Sequence, residues 1–219
     1  MYNLLFVIGF SSEADEAARS TLQAALRQAG ATSRVKGATV QPTLPGVYNG
    51  GDLIARFVFD TPSDLAAWHA SSEGQAIADS LADPALAATL ERVEYEGGRS
   101  GGTSEGSGLY RVALFCANRN PTAERLEAFG RQTLTLPRHV RSIRRWQLSD
   151  VGNVSGSRPW THVWEQEYTD LDGLNGPYMM HPAHWAHVER WFDTEYPDHL
   201  VDRVLVHSFC AFAAPVIIA

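Results

Sequence analysis

The chain is poor in cysteine, in long apolar runs and in positive charge, and each shortage excludes a class of protein. Its 219 residues include two cysteines, Cys116 and Cys210, too few for a disulfide framework. No apolar run approaches the length of a membrane span, and the apolar N-terminus is too short and wrongly flanked for a signal peptide. A formal net charge of −7 argues against nucleic acid or an anionic membrane surface as a partner. These features predict a cytoplasmic protein whose two thiols are reduced and buried.

A glycine-rich segment divides the sequence almost in half. Six of the twelve residues 97–108 are glycine, and none of the twelve has an apolar side chain to bury. Such a composition is typical of a flexible linker. We therefore expect a first domain over 1–96, a Gly/Ser linker over 97–108 and a second domain over 109–219.

The two halves carry the same order of predicted elements: a strand, a helix, two strands, a helix and a strand. This βαββαβ order is typical of a ferredoxin-like repeat, which carries its helices on one face of the sheet. Two such sheets packed face to face would cover each other. The sequence therefore predicts an α+β fold with two tandem ferredoxin-like repeats, a pseudo-dimer within one chain, and leaves a further homodimer open. The predicted pairs are strands 3–10 and 110–117, helices 13–28 (capped by Ser12) and from Asn120-Pro121, strands 33–40 and 142–148, strands 52–60 and 161–169, and last strands from Arg92 and Arg203.

The richest stretch for chemistry is residues 178–187, which hold a tyrosine and three of the eight histidines. Pro182 suits the first position of a helix, and this places His184 in the first turn, where the helix dipole disfavours the imidazolium. A neutral imidazole can act as a general base, and the Tyr178 hydroxyl could donate a hydrogen bond to a substrate oxygen. The alternative is structural, with His181 capping the helix and Tyr178 simply packed.

The same histidines could instead bind a metal, with His162 and His207 adding ligands from neighbouring strands. The spacing of His181, His184 and His187 argues against this use, because these positions sweep about 120° of a helix and the first lies before the proline. The sequence also lacks the His-x-x-x-His and Cys-x-x-Cys spacings that favour zinc. We therefore predict neither a metal nor a cofactor.

Arginines and tryptophans supply further candidate contacts in the second half. The cluster Arg138, Arg141, Arg144 and Arg145 could bind a carboxylate, but it is better interpreted as a solvated face. Several tryptophans could form a pocket for a flat ring or could simply pack in the core. Those near the predicted pocket elements are Trp146, Trp160, Trp164 and Trp185.

These residues resemble the stress-responsive dimeric α/β-barrel (Dabb) family, in which two separate chains usually pair. The resemblance covers residues 109–212 well and 1–96 only in element order. Residues 178–184, Tyr-Met-Met-His-Pro-Ala-His, are close to the motif of the family's plant polyketide cyclase that makes olivetolic acid. The resemblance implies that Tyr178 and His184 are the functional pair and that His162 is a further pocket histidine. Arg111 replaces a pocket histidine of that cyclase, which argues for a different substrate.

The first half lacks these groups. Its counterparts to Arg111 and His162 are Leu4 and Leu53. Trp68 stands in place of the tyrosine, and no His-Pro-x-His follows. We therefore expect the first half to be a scaffold.

The sequence favours a cofactor-free enzyme, a lyase, cyclase or isomerase, that forms an enolate from a small aromatic or polyketide-like substrate. Its base would be His184 and its donor Tyr178. One alternative is a non-catalytic ligand-binding or stress-response barrel, which a barrel filled by side chains would favour. Another is a cofactor-independent oxygenase. The predicted substrate contacts are His162, Arg111, Trp146, Trp164, Trp185 and His181.

Overall fold

The structure, a computed structural model, describes residues 1–218 and places the strands in two antiparallel five-stranded sheets. The first half contains β1 (Tyr2–Phe10), α1 (Glu16–Gly30), β2 (Gly37–Pro42), β3 (Leu53–Phe59), α2 (Pro62–His69), α3 (Ser72–Ala82) and β4 (Ala87–Glu96). The chain continues with β5 (Arg99–Gly102), β6 (Leu109–Phe115), α4 (Ala123–Thr133), α5 (Leu136–His139), β7 (Ile143–Asp150), β8 (Asn153–Ser155) and β9 (His162–Tyr168). It ends with α6 (Leu171–Gly173), a π-helical turn (Leu174–Tyr178), α7 (Pro182–His187), a 3-10 turn (Glu189–Trp191) and β10 (Val206–Ala211).

The strand order confirms two ferredoxin-like repeats. The first sheet runs β2-β3-β1-β4-β8 and the second β10-β6-β9-β7-β5. Four strands of each sheet come from one repeat, and the fifth is a short strand at the edge. β8, from the second half, pairs with β4, while β5, from the glycine-rich segment, pairs with β7. The segment 97–108 is therefore not a flexible tether throughout, and we propose it as the boundary between two domains that share edge strands.

The two sheets pack face to face, as predicted. Alternate residues of β1 lie on opposite faces of the strand. Leu5 and Val7 belong to an apolar cluster with Val112 and Leu114 of β6, between the sheets. Every central residue of β1 and β6 is buried, because the other face of each sheet is covered by helices and loops.

The space between the sheets is filled and contains a buried ion pair that links the halves. Arg56 Nε of β3 lies 2.6 Å from Glu165 Oε1 of β9, and both side chains are at most 1% exposed. The hydroxyl of Tyr110 also donates to Glu165, at 2.6 Å. The C-terminal segment enters the same space, where the N–H groups of Val216 and Ile217 donate to one carboxylate oxygen of Glu167.

Two predicted helix starts and two strand starts are corrected. Asp15, not Ser12, caps α1 by accepting from the Ala18 N–H at 2.8 Å. Thr122 caps α4, since Asn120 has φ of 50° and lacks the extended backbone that a capping residue needs. The last strand of each half begins at Ala87 and Val206 rather than at the predicted arginines. In residues 1–218 no helix has the length and apolar character needed to cross a membrane.

Candidate active site

A cavity of about 570 Å³ lies between the helix-side face of the second sheet and the segment around α7. Its walls include the apolar side chains of Phe115, Val188 and Phe192. The titratable groups that line it come from the sheet and from the segments that cover it: Arg111, Tyr178, His184, Glu189, Arg190, Asp193, Tyr196, Arg203 and His207. A concave site with apolar walls and a few converging polar groups is typical of a small-molecule site.

Strand alternation turns Arg111 and His207 toward the cavity. On β6 the neighbours Tyr110 and Val112 point between the sheets, so Arg111 points to the helix side. β10 lies beside β6, where His207 is paired with Ala113, two residues from Arg111. The two side chains therefore stand on adjacent strands at the same end of the cavity.

The opposite wall is built from the π-helical turn and α7. Tyr178 ends the π-helical turn and is 1% exposed. His181 caps α7, and its Nδ1 accepts from the Ala183 N–H at 3.0 Å. His184 therefore falls in the first turn of the helix, as predicted, and is 5% exposed. The helix-capping alternative for His181 is also confirmed.

Tyr178, His184 and Arg111 come together in this cavity. The rings of Tyr178 and His184 meet edge to face, with centroids 4.7 Å apart. Arg111 Cζ lies 5.5 Å from the centroid of the Tyr178 ring. The carboxylate of Glu189 lies 3.7 Å from His184 Nδ1, too far for a hydrogen bond.

Three buried nitrogens in the cavity have no hydrogen-bond partner among residues 1–218. They are Arg111 Nε, His184 Nδ1 and His207 Nε2. Leaving a buried donor or acceptor unpaired costs about 1–3 kcal/mol, so such atoms require an explanation. All three belong to residues that line the cavity, so a molecule bound there is the candidate partner for them.

Both imidazoles are neutral near pH 7. Burial, and secondly the charge of Arg111, lowers the pKa of His184 to about 4. Burial followed by the charges of Arg111 and His184 lowers the pKa of His207 to about 2. The predicted neutrality of His184 thus holds, but its main cause is burial rather than the dipole of the six-residue helix α7.

The prediction that His162 lines the same pocket is wrong. His162 is paired with Phe115, whereas Arg111 is paired with Gln166, four residues further along β9. At about 3.3 Å per residue the two levels are about 13 Å apart. His162 lines a second cavity, where its Nδ1 lies 2.8 Å from Thr161 Oγ1 and its Nε2 lies 3.4 Å from Asp150.

The other predicted contacts divide between core, surface and cavity. Trp164 is fully buried in the core beside Trp146, with ring centroids 6.2 Å apart, and neither lines the cavity. His181 is engaged in the helix cap and also lies outside the lining. Trp185 does line the cavity, and its Nε1 donates to the Met179 carbonyl at 3.1 Å while the side chain stays 56% exposed. Of these four side chains only Trp185 lines the cavity, and its contact with a substrate stays a prediction.

His207 is the cavity residue that the sequence interpretation missed, since it was considered only as a metal ligand. The signal was available, because His207 is a polar residue in an apolar strand predicted to neighbour the strand of Arg111. A loop of the first half covers this edge: the Tyr48 N–H donates to the His207 carbonyl at 2.9 Å. In the part of the chain that the structure describes, no group of three or more His, Cys, Asp or Glu side chains is placed to hold a metal.

Comparison with known proteins supports the fold. Residues 109–207 match the Stress responsive A/B Barrel Domain family, so the second half of the chain carries a domain of this kind. No curated protein sequence matches the chain. An anthrone oxidase-like protein has a similar structure, with a TM-score of 0.70, 10% identity, and coverage of 97% of this chain and 91% of that chain.

Two proposed monooxygenases are also similar along their length. The protein from Lactobacillus acidophilus has a TM-score of 0.58 at 10% identity, covering 96% of this chain and 95% of that chain. The protein from Fusobacterium nucleatum has a TM-score of 0.59 at 8% identity, covering 96% and 91%. At such identities these similarities show the fold alone, which here extends over both halves of the chain.

Proposed function

We propose that the protein is a small-molecule enzyme that removes a proton next to a carbonyl group in the cavity around His184. One observation carries this proposal: three unpaired buried nitrogens converge on a cavity in the second half. The Arg56–Glu165 pair and the C-terminal segment occupy the space between the sheets, and a barrel filled in this way is the condition that favours the non-catalytic alternative. The enzyme interpretation therefore rests on the cavity on the helix side of the second sheet.

His184 is the base in this proposal. Its imidazole is neutral and its Nδ1 is free to accept a proton from a substrate carbon. As the C–H bond breaks, its electron pair moves toward the carbonyl, and negative charge develops on the carbonyl oxygen. The Tyr178 hydroxyl and the Arg111 guanidinium would stabilise that oxygen by hydrogen bonding and charge.

The cavity walls favour a flat substrate. Phe115, Tyr178 and Trp185 present aromatic surface to the cavity. An enolate held among such rings could attack a second carbonyl or be reprotonated at another carbon, which are the cyclase and isomerase outcomes. In the lyase outcome the base takes the proton of a β-hydroxyl group, the carbon–carbon bond breaks to give a carbonyl compound and the enolate, and the enolate is then protonated at carbon. Proton transfer between the base and a carbon next to a carbonyl is therefore common to all three.

Deuterium exchange at carbon tests the common step without requiring the natural substrate. We would follow exchange of small aromatic β-diketones and β-ketoesters in D₂O by NMR, with and without the protein. His184→Ala should slow the protein-dependent exchange by about 10²–10⁴-fold, and Tyr178→Phe by about 10²–10³-fold. Undiminished exchange in a folded His184→Ala protein would rule out this base.

Cofactor-independent oxygenation is a second candidate, because a stabilised carbanion is the species that could react directly with O₂. The overall similarity to an anthrone oxidase-like protein and two proposed monooxygenases is compatible with it. An oxygen electrode in the same assay separates the candidates: O₂ consumption coupled to substrate loss supports oxygenation, and exchange without O₂ consumption supports the lyase, cyclase or isomerase reaction. Tight binding of the probes with neither exchange nor O₂ consumption would favour a non-catalytic ligand-binding barrel.

A further inference from the structure

Arg111 carries a buried positive charge with no acidic partner among residues 1–218. The side chain is 5% exposed, and its only hydrogen bond is from Nη1 to the neutral amide oxygen of Gln166, at 2.7 Å. Its Nε has no partner at all. The other deeply buried arginine, Arg56, differs in that it is paired with Glu165. A buried ion without a counter-ion costs several kcal/mol, so the contrast requires an explanation.

The groups around Arg111 do not supply the missing negative charge. Arg111 faces the ring of Tyr178, and the two imidazoles whose pKa values its charge lowers are neutral. Glu189 and Asp193 are the acidic groups on the cavity wall, and neither lies within 4 Å of the guanidinium. Arg190 and Arg203 line the cavity as well, but Arg190 is paired with Asp198 and Arg203 is exposed. The buried, unpaired positive charge of the cavity is therefore that of Arg111.

We propose that the cavity binds a small aromatic carboxylate, whose carboxylate group pairs with Arg111 and accepts a hydrogen bond from His207. This inference rests on the proposed function for the identity of the site and adds the charge class of its substrate. A planar guanidinium with a free Nε suits a carboxylate, because the two groups can form parallel hydrogen bonds. The flat remainder of the ligand would lie against Phe115 and Trp185, which line the same cavity.

Anion binding should also be coupled to protonation of the site. A carboxylate beside Arg111 offsets the charge that disfavours the imidazolium forms of His184 and His207. The other titratable groups that face His184 are Tyr178 and Glu189, with Asp193 next to Glu189. Binding should therefore take up protons at mildly acidic pH, and His184 should become a stronger base once the anion is in place.

Calorimetry with matched acids and amides tests the inference. Benzoate, salicylate and phenylacetate would be titrated into the protein against benzamide, salicylamide and phenylacetamide, at pH 6 in two buffers of different ionisation enthalpy. At least one acid should bind tenfold or more tighter than its amide, an order of magnitude expected for a desolvated charge pair, and with net proton uptake. Arg111→Met and Arg111→Gln should bring the acid-to-amide ratio to about one, while Arg138→Gln, on the exposed surface of α5, should leave it unchanged.

Two results would overturn the inference: acids and amides that bind equally or not at all to the wild-type protein, or an acid preference that survives in a folded Arg111→Met or Arg111→Gln variant. The wild-type comparison remains decisive even if both variants fail to fold. The two assays separate failure of this inference from failure of the proposed function. A preference for acids without deuterium exchange at carbon would support the anion site and reject the proposed catalysis. Exchange of neutral diketones without a preference for acids would support the catalysis and reject the anion site.

Discussion

The two halves of the chain share a fold and differ in what fills the space between sheet and helices. The strand registers of the two sheets allow the halves to be compared residue by residue. In the first half Leu4 is paired with Phe57, and in the second half Arg111 is paired with Gln166 at the corresponding place. A leucine and a phenylalanine thus occupy the positions that an arginine and a glutamine occupy at the candidate site.

The same difference extends to the covering helices. In the first half Trp68 is buried against Phe57, with ring centroids 5.3 Å apart, and its Nε1 donates to the Ala29 carbonyl at 3.1 Å. The cavity beside it measures about 140 Å³, against about 570 Å³ in the second half. The neighbouring His69 is bound to Glu94, at 2.9 Å. Apolar side chains therefore fill most of one copy of a cavity that Arg111 and Tyr178 line in the other.

The largest expected effect is on the rate of deuterium exchange. A pair of matched histidine variants, one in each half, tests whether only the second half is active. His184→Ala should reduce protein-dependent deuterium exchange by about 10²–10⁴-fold, because it removes the proposed base. His69→Ala should leave the exchange rate within about twofold, because the first-half cavity is small and its histidine is already paired. Exchange measured by NMR on folded variants provides the test. Equal losses from both variants would mean that the first half is not a scaffold.

The next effect is on stability and contrasts the two buried arginines. Arg56→Met leaves Glu165 as an uncompensated buried carboxylate between the sheets, so the free energy of unfolding should fall by about 3–5 kcal/mol. Arg111→Met removes a buried charge that has no acidic partner but leaves the Gln166 amide oxygen unpaired, so the free energy of unfolding should not fall and should rise by up to about 3 kcal/mol. Urea unfolding followed by fluorescence measures both. A loss of several kcal/mol in Arg111→Met would mean that its charge is satisfied within the protein.

The Arg56–Glu165 ion pair and the shared edge strands link the two halves, so we expect that neither half is stable alone. Residues 1–96 and 109–219, expressed separately, would each expose an apolar sheet face and lose a strand contact between β4 and β8. We expect the separate halves to aggregate or to associate when mixed, as size-exclusion chromatography would show. Halves that remain folded and separate would contradict the pseudo-dimer as a unit of stability.

Sequence patterns predicted the repeat well because long apolar strands and capped helices carry local signals. They failed where pairing is decided between distant segments. The sequence of β5 is Arg-Ser-Gly-Gly and that of β8 is Asn-Val-Ser, and neither alternates apolar and polar residues. Each becomes a strand only because it pairs with an edge strand, β5 with β7 and β8 with β4.

The candidate site was predicted in part for the same reason. The helix start at Pro182 depends on local geometry, and it placed His184 correctly. The level of a residue along a strand depends on register, which the sequence does not state. His162, which is paired with Phe115 but lines the second cavity, was therefore assigned to the wrong cavity, while His207, on the strand beside that of Arg111, was overlooked.

A smaller effect is the response to acid, which should differ between the halves. His184 has a pKa lowered from 6.5 to about 4, so between these values the unfolded chain binds a proton that the folded protein does not. Stability should therefore be complete above pH 6.5 and fall by up to about 3 kcal/mol as the pH drops to 4. His184→Gln should make this part of the profile shallower, while His207, whose pKa burial also lowers, should still contribute to its slope. A profile already flat in the wild-type protein would contradict the buried neutral imidazole.

The first half should respond at lower pH. Hydrogen bonding to His69, and then to Arg92, lowers the pKa of Glu94 from 4.5 to about 2. The stability from this group is present above about pH 4.5 and is lost as the pH falls toward 2. Glu94→Gln should therefore alter the profile only below the window in which His184→Gln acts. Urea midpoints measured in steps from pH 7 to 3 would resolve the two windows.

The last prediction concerns the rate of thiol labelling, which reports on the second half alone because both cysteines lie there. Cys116 and Cys210 are buried, and burial raises the pKa of the Cys210 thiol to about 12. Since the thiolate is the reactive form, native labelling by an aromatic disulfide should be slower than labelling in urea by orders of magnitude. Cys210 is paired with Tyr110, six residues or about 20 Å from Cys116 along β6, so the two thiols cannot form a disulfide. Rapid labelling of both cysteines in the native protein would show that the core between the sheets is not closed.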